Sequence, residues 1–193
     1  MNAARWFKNL STFAKLLVAF GLLAGVMAVQ GWVAISELAT IQKNTGDIYQ
    51  KQLVPLAMLS EVDNDLQRIR QTSYKMFTPL PPEQVKAAVE DARKLDKDLL
   101  DRSSKFQATI RAEEVRAAFD HFGEEMKKYQ DYREGKQYAL VLKGDKEQAF
   151  QVALGGGPYY EVAYRAMQET LQAKQKVAHK YYQNSQAVYT WAW

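Results

Sequence analysis

Cysteine is absent and histidine occurs only twice in the 193 residues. The first absence excludes a disulfide framework and thiol chemistry. The second leaves too few ligands for a hydrolytic metal site. A di-iron bundle would need Glu-x-x-His pairs, but Ala118 stands three residues before His121 and Lys176 three before His179. Both histidines read as partly exposed helix residues. No glycine-rich phosphate loop follows a strand-like run, which removes nucleotide binding of the usual kinds. Helix breakers are few, 10 glycines and 5 prolines, with clusters at 79–82 and 155–158. Charge of one sign is also lacking. Of the 26 basic residues, Arg5, Lys8 and Lys15 precede any acid, which leaves 23 basic against 22 acidic side chains over 37–193. No basic stripe results, so nucleic acid is not an expected partner, and no cofactor is expected.

What the chain does have is one long uncharged run. Between Lys15 and Glu37 lie 21 residues without a charge, and at about 1.5 Å rise each they cover the roughly 30 Å hydrocarbon core. Residues 16–36 are expected to be a transmembrane helix, with membrane lipid as a partner. The basic residues before it put 1–15 in the cytoplasm of a bacterial cell by the positive-inside rule, and the remainder outside. The competing reading is a cleaved signal peptide, with small residues around Ala28; the apolar run exceeds the usual length of such a segment. Past Glu37 the apolar residues fall at steps of three and four: Leu38, Ile41, Thr45, Ile48, Gln52, Pro55, Leu59, Val62, Leu66, Ile69, Ser73 and Met76. That is a heptad seam, and it places span and bundle helix in one register. Pro55 predicts a kink, because it removes a donor while the seam resumes in phase at Leu59.

The first helix should end at Thr78-Pro-Leu-Pro-Pro82. A second, opened by Pro81 or Pro82, carries Val85, Val89 or Ala88, Ala92, Leu95, Leu99, Arg102 or Ser103, and Phe106, and should stop between Ser103 and Thr109. The third reads Val115, Ala118 with Phe119, Phe122, Met126, Tyr129, Arg133, Lys136 and Leu140, its seam turning polar toward the end. Gly144 suits a C′ position and Asp145 an N-cap of a short helix through Leu154. Gly155-Gly-Gly-Pro158 then predicts a break and hinge, with the fourth helix starting at Pro158 and running to the C-terminus. Short connections predict an all-α, antiparallel up-down-up-down four-helix bundle over 37–187. Tyr181, Tyr182, Tyr189, Trp191 and Trp193, with Trp32, suit a membrane interface, and 188–193 read as the start of a second span; Tyr181 alternatively belongs to the core.

The stretches KLLVAFGLLAGVMAVQGWVAISELATI and LVPLAMLSEVDNDLQRIRQTSY, then LKGDKEQAF and GGGPYYEVAYRAMQETLQAKQKVAHKYY, occur in an order that resembles the periplasmic sensor module of bacterial methyl-accepting chemotaxis receptors. The resemblance spans essentially the whole chain. It implies a four-helix-bundle ligand-binding domain that signals through the membrane. A homodimer is expected from the apolar residues beside the first helix's seam, and no enzyme is expected because the catalytic parts are missing. Val54, Ala57 and Met58, beside the first helix's seam, are the residues expected at the dimer contact.

Counting about nine residues, roughly 13 Å, down from each turn brings Arg68 and Arg70, Arg133 with Tyr129, and Tyr164 with Arg165 to one layer. Guanidiniums and phenols together suit a small carboxylate through charge-assisted hydrogen bonds. Arg133 carries most weight, because the seam turns it inward, and neither it nor Arg68 is expected to be needed for folding. The resemblance adds Lys75, since amino-acid-sensing members hold their ligand with arginines on the first helix. The spacing of Arg68, Arg70 and Lys75 differs from that ladder, which favours an organic acid. The plainer alternative pairs these arginines with Asp65, Glu134 or Glu161 on solvated faces. A ligand-free stalk would keep apolar residues where Arg133 and Lys136 stand. A sensor for a histidine kinase or cyclic-dinucleotide enzyme would look the same over this stretch.

Overall fold

The computed structural model describes residues 11–190, with side chains to residue 186 in the last helix. Two compact units meet at Gly46 and Asp47. The expected basic terminus at Arg5 and Lys8, the side chain of Tyr189, and Trp191 and Trp193 lie outside the described residues.

The first unit is formed by most of helix α1 (Thr12–Ile48), which buries none of its residues. Phe13, Leu17, Phe20, Leu22, Val26, Met27, Trp32 and Ile35 are all exposed. An 18-residue window in the helical run Thr12–Lys75 reaches a mean hydropathy of 2.1. The run is long and apolar enough to cross a membrane, and a continuous apolar surface of this kind is foreign to water-facing helices.

The regular elements of the second unit are all helical among its described residues. A π turn (Tyr49–Leu53) leads into α2 (Val54–Lys75), followed by α3 (Pro82–Gln107), α4 (Glu113–Tyr132), a second π turn (Arg133–Tyr138), the short α5 (Ala139–Lys143) and α6 (Lys146–Thr190). Helix α2 packs along α3, α4 packs along α6, and α2 meets α6 to join the two pairs. The seam of α2 is inward at every expected position from Gln52 to Met76. Leu59, Val62, Leu66 and Ile69 join Leu99, Phe106, Phe119, Phe122 and Met167 in one apolar cluster. Met76, Val85, Val89, Ala92, Tyr138 and Val141 form a second, toward the loop at 76–82.

Pro55 falls in the first turn of α2, just after the π turn. In an α-helix it would leave the carbonyl of Lys51 without a donor, and that oxygen accepts from Lys174 Nζ at 2.9 Å. A π turn, with its extra residue, thus stands where a kink was expected. The second π turn corrects the seam of the third helix. One inserted residue moves the inward positions from Lys136 and Leu140 to Gln137, Tyr138 and Val141, and Lys136 is exposed.

Gly144 has φ of 85° and closes α5 as a left-handed cap. Asp145 Oδ1 then accepts from the backbone N–H of Gln148 at 3.1 Å, the N-cap expected there. The expected break at 155–158 does not occur, since α6 runs through Pro158. Pro158 and Leu154 are on the solvent side, where water reaches the carbonyl that the proline leaves unpaired. The glycines serve close approach. A Cβ on Gly155 would lie 2.8 Å from Tyr132 Oη, and one on Gly156 2.9 Å from its ring. The ring is pinned there by stacking on Tyr159 at 4.8 Å and by its hydroxyl, which donates to Val152 O at 2.9 Å.

These contacts set opposite outcomes for neighbouring glycines. Gly156→Ala should destabilise by about 1–3 kcal/mol through overpacking, whereas Gly157→Ala, whose Cβ meets open space, should stabilise by up to about 1 kcal/mol. Urea denaturation of both variants beside wild type checks the sign.

Candidate functional site

A polar layer separates the two apolar clusters. Arg133, wholly buried at the head of the second π turn, donates from Nη2 to Asp96 Oδ1 at 2.7 Å and from Nη1 to Asp96 Oδ2 at 3.2 Å. Nη1 also donates to Tyr138 Oη at 2.7 Å, and the guanidinium lies 4.4 Å from the centre of the Tyr129 ring. Its Nε has no partner among the described residues. Tyr138 Oη is 3.4 Å from Ser73 Oγ, and Gln137 Nε2 donates to Ser73 O at 3.5 Å. Burial pushes the Asp96 carboxyl above its ordinary value, against the pull of Arg133. Burial also pushes the Tyr129 phenol up to about 12.

Beside this layer Arg70 reaches across to α6. It donates to Glu161 Oε1 at 2.9 Å and lies over the rings of Tyr160, at 4.1 Å, and Tyr74, at 5.8 Å. Tyr160 in turn stacks on Tyr164 and meets Tyr129 edge-on at 5.6 Å. Arg70, Ser73, Tyr129, Gln137, Gly156 and Tyr160 line a small cleft of about 10 Å³, room for one water molecule.

Of the residues singled out from sequence, Arg70, Tyr129, Tyr164 and Arg133 share this region. Arg68 is exposed and faces Asp65 at 3.6 Å, and Lys75 and Arg165 are exposed too. Arg133 is inward as expected, but its partner is Asp96, an acid on the apolar face of α3 between Leu95 and Leu99 that the seam reading passed over. The expectation that Arg133 is dispensable for folding is therefore corrected, because a charge so deeply enclosed belongs to the core. Of the pairings expected on solvated faces, Arg70 with Glu161 forms; Arg68 does face Asp65, but that carboxylate is buried and also meets Arg102, while Glu134 pairs with Arg93 on α3.

A family model described as the four helix bundle sensory module for signal transduction matches residues 9–189. The chain belongs to this family. The match takes in nearly all the described residues and upholds the resemblance drawn from the order of its stretches. No curated protein matches the chain. In this sensory module, then, the polar layer between the two clusters and the Arg70 cleft beside it draw on residues of α2, α3, α4, the second π turn and α6.

Two measurements test the layer. Asp96→Ala should cost about 3–5 kcal/mol, since it strands Arg133 in the core, whereas the double change Asp96→Leu with Arg133→Met should cost clearly less; chemical denaturation of the three proteins decides. The raised Tyr129 pKa also predicts a pH dependence. The folded state keeps this proton while the unfolded chain loses it, so the stability it contributes is complete below pH 10 and is lost as pH rises toward about 12. Tyr129→Phe should lose less stability over that window.

Proposed function

We propose that the chain is the extracytoplasmic ligand-sensing module of a transmembrane chemoreceptor, with its N-terminus in the cytoplasm, its bundle in the periplasm and α1 as membrane anchor. Family membership and the exposed apolar surface of α1 support this reading. So does the placement of Arg5, Lys8 and Lys15 before the uncharged run. The four bundle helices are taken to alternate in direction, consistent with their short connections. A homodimer forms along α2, where Ala57 is open beside half-buried Val54 and Met58, next to Leu53 at the end of the first π turn, which is 52% exposed.

The ligand is a small organic acid or amino acid, and the observation that carries this is the state of Arg70. Its guanidinium is framed by the rings of Tyr160 and Tyr74, and its ion pair is with Glu161, a carboxylate whose side chain is 47% exposed. A pair of this kind is worth about 0–1 kcal/mol. An incoming carboxylate replaces Glu161 at little cost and gains the hydroxyl and amide donors of Ser73, Tyr129 and Gln137. The cleft must widen to admit it. Because α2, the second π turn and α6 all line the cleft, binding favours one placement of these helices over another by its differential affinity. A shift of about 1–2 Å is the usual scale for such signals.

Calorimetric titration of the full chain in lipid nanodiscs against a panel of organic acids and amino acids tests this. One carboxylate should bind saturably, and Arg70→Ala should weaken it at least tenfold with the thermal transition almost unchanged. No binding across the panel, or equal binding by the variant, would leave the module a ligand-free stalk.

A further inference from the structure

Lys174 is an ammonium in the core without a counter-ion. It is 94% buried, and its Nζ donates to two neutral oxygens, Lys51 O at 2.9 Å and Gln52 Oε1 at 2.8 Å. An ammonium has three donors. Among the described residues no carboxylate lies within ion-pair distance of it. Leaving a charge so enclosed without an opposite charge costs several kcal/mol. Burial accordingly lowers the Lys174 pKa. Support of the Pro55 turn accounts for one donor, and a neutral amide would serve there at less cost.

A cavity of about 240 Å³ opens beside this ammonium. It lies where the connection from α3 to α4 meets the first π turn and α6, at the opposite end of the bundle from the Arg70 cleft. Phe106, Ile110, Val115 and Val177 give it apolar walls. Lys51 and Arg111, both exposed, stand at its rim. The nearby acid, Asp47, forms an ion pair with Lys51 at 2.8 Å and accepts from Tyr181 Oη at 3.3 Å. Three cations thus surround a largely apolar space with one acid at its edge.

We infer that this cavity is a second binding site, for a small monocarboxylate with an apolar body. The carboxylate would take the remaining donor of Lys174 and supply the missing charge, and the hydrocarbon would fill the space between Phe106, Val115 and Val177. The volume is below the roughly 300–1,000 Å³ of pockets that hold drug-sized ligands, so the ligand is of fragment size. A phosphate or a dicarboxylate fits less well, because the inner walls beside Lys174 are apolar and the other two cations, Lys51 and Arg111, stand out at the exposed rim. Such a ligand ties the first π turn to α6 at a place independent of the Arg70 cleft, and acts on the packing of the same two helices.

Hexanoate is a suitable probe. The full chain, labelled at isoleucine and valine methyl groups and held in lipid nanodiscs, is titrated with hexanoate and followed by NMR, with hexanamide and inorganic phosphate as controls. Saturable shifts are expected at Ile110, Val115 and Val177, with Val141 at the other end unmoved, and at least tenfold weaker binding of hexanamide and phosphate. Lys174→Met should weaken hexanoate at least tenfold, and Lys176→Met, on the exposed face of the same helix, should not. If Lys174→Met does not fold, Val177→Phe, which fills the cavity and keeps the ammonium, should abolish the shifts. Absence of saturable shifts, shifts centred on Val141, equal binding of hexanamide, or undiminished binding by a folded Lys174→Met or Val177→Phe protein would overturn the site.

Discussion

The buried pair between Arg133 and Asp96 is the constraint around which this bundle is built. It sits where an all-apolar bundle would place leucines, and it splits the core into one cluster around Leu66, Phe119 and Phe122 and another around Met76, Val89 and Tyr138. Charges in such a place demand full use of their donors and acceptors. The surroundings answer most of that demand, with Tyr138 Oη taking one donor, Tyr129 covering the guanidinium, and Ser73 and Gln137 extending the network to α2, while Nε is left without a partner among the described residues. Unlike Leu packing, which tolerates sliding, a bidentate ion pair fixes the relative placement of α3 and the second π turn. The pair ties α3 to the second π turn, beside the packing of Phe106 on Phe119 and the pair of Arg93 with Glu134.

The two π turns are consequences of the same economy of register. Each inserts a residue into a helix, and the second re-phases an apolar period that would otherwise rotate off the core. At Arg133–Tyr138 the insertion brings Arg133, Gln137 and Tyr138 to face inward together. At Tyr49–Leu53 it precedes a proline and turns Gln52 inward to meet Lys174. Both π turns therefore coincide with buried polar groups, one with its counter-ion and one without. That difference separates a structural layer from a place where a ligand's charge is wanted.

Much of this was legible in the amino-acid order. The heptad steps of α2 survive from Gln52 to Met76 because a long helix packed on one side has no alternative to a period near 3.5. Gly144 and Asp145 are a cap pair whose chemistry is local. The triple glycine misled for a related reason. Glycine and proline are locally permissive of a break, but the choice between hinge and contact depended on Tyr132, more than twenty residues earlier, whose ring needs the space that two missing Cβ atoms leave. In the same way Arg133 was rightly turned inward by its seam, while nothing near it in sequence pointed to Asp96.

The sequence by itself determined the apolar run, the number of bundle helices, the faces they bury and most of their ends, since each follows from periodicity and from chemistry within a few residues. Only the tertiary structure decided the partner of each buried charge. It also decided the register after Arg133, the continuity of α6 through Pro158 and the isolation of Lys174. Those depend on which helix lies opposite at a given height, and a change of one residue in register moves every inward side chain by about 100° around the helix.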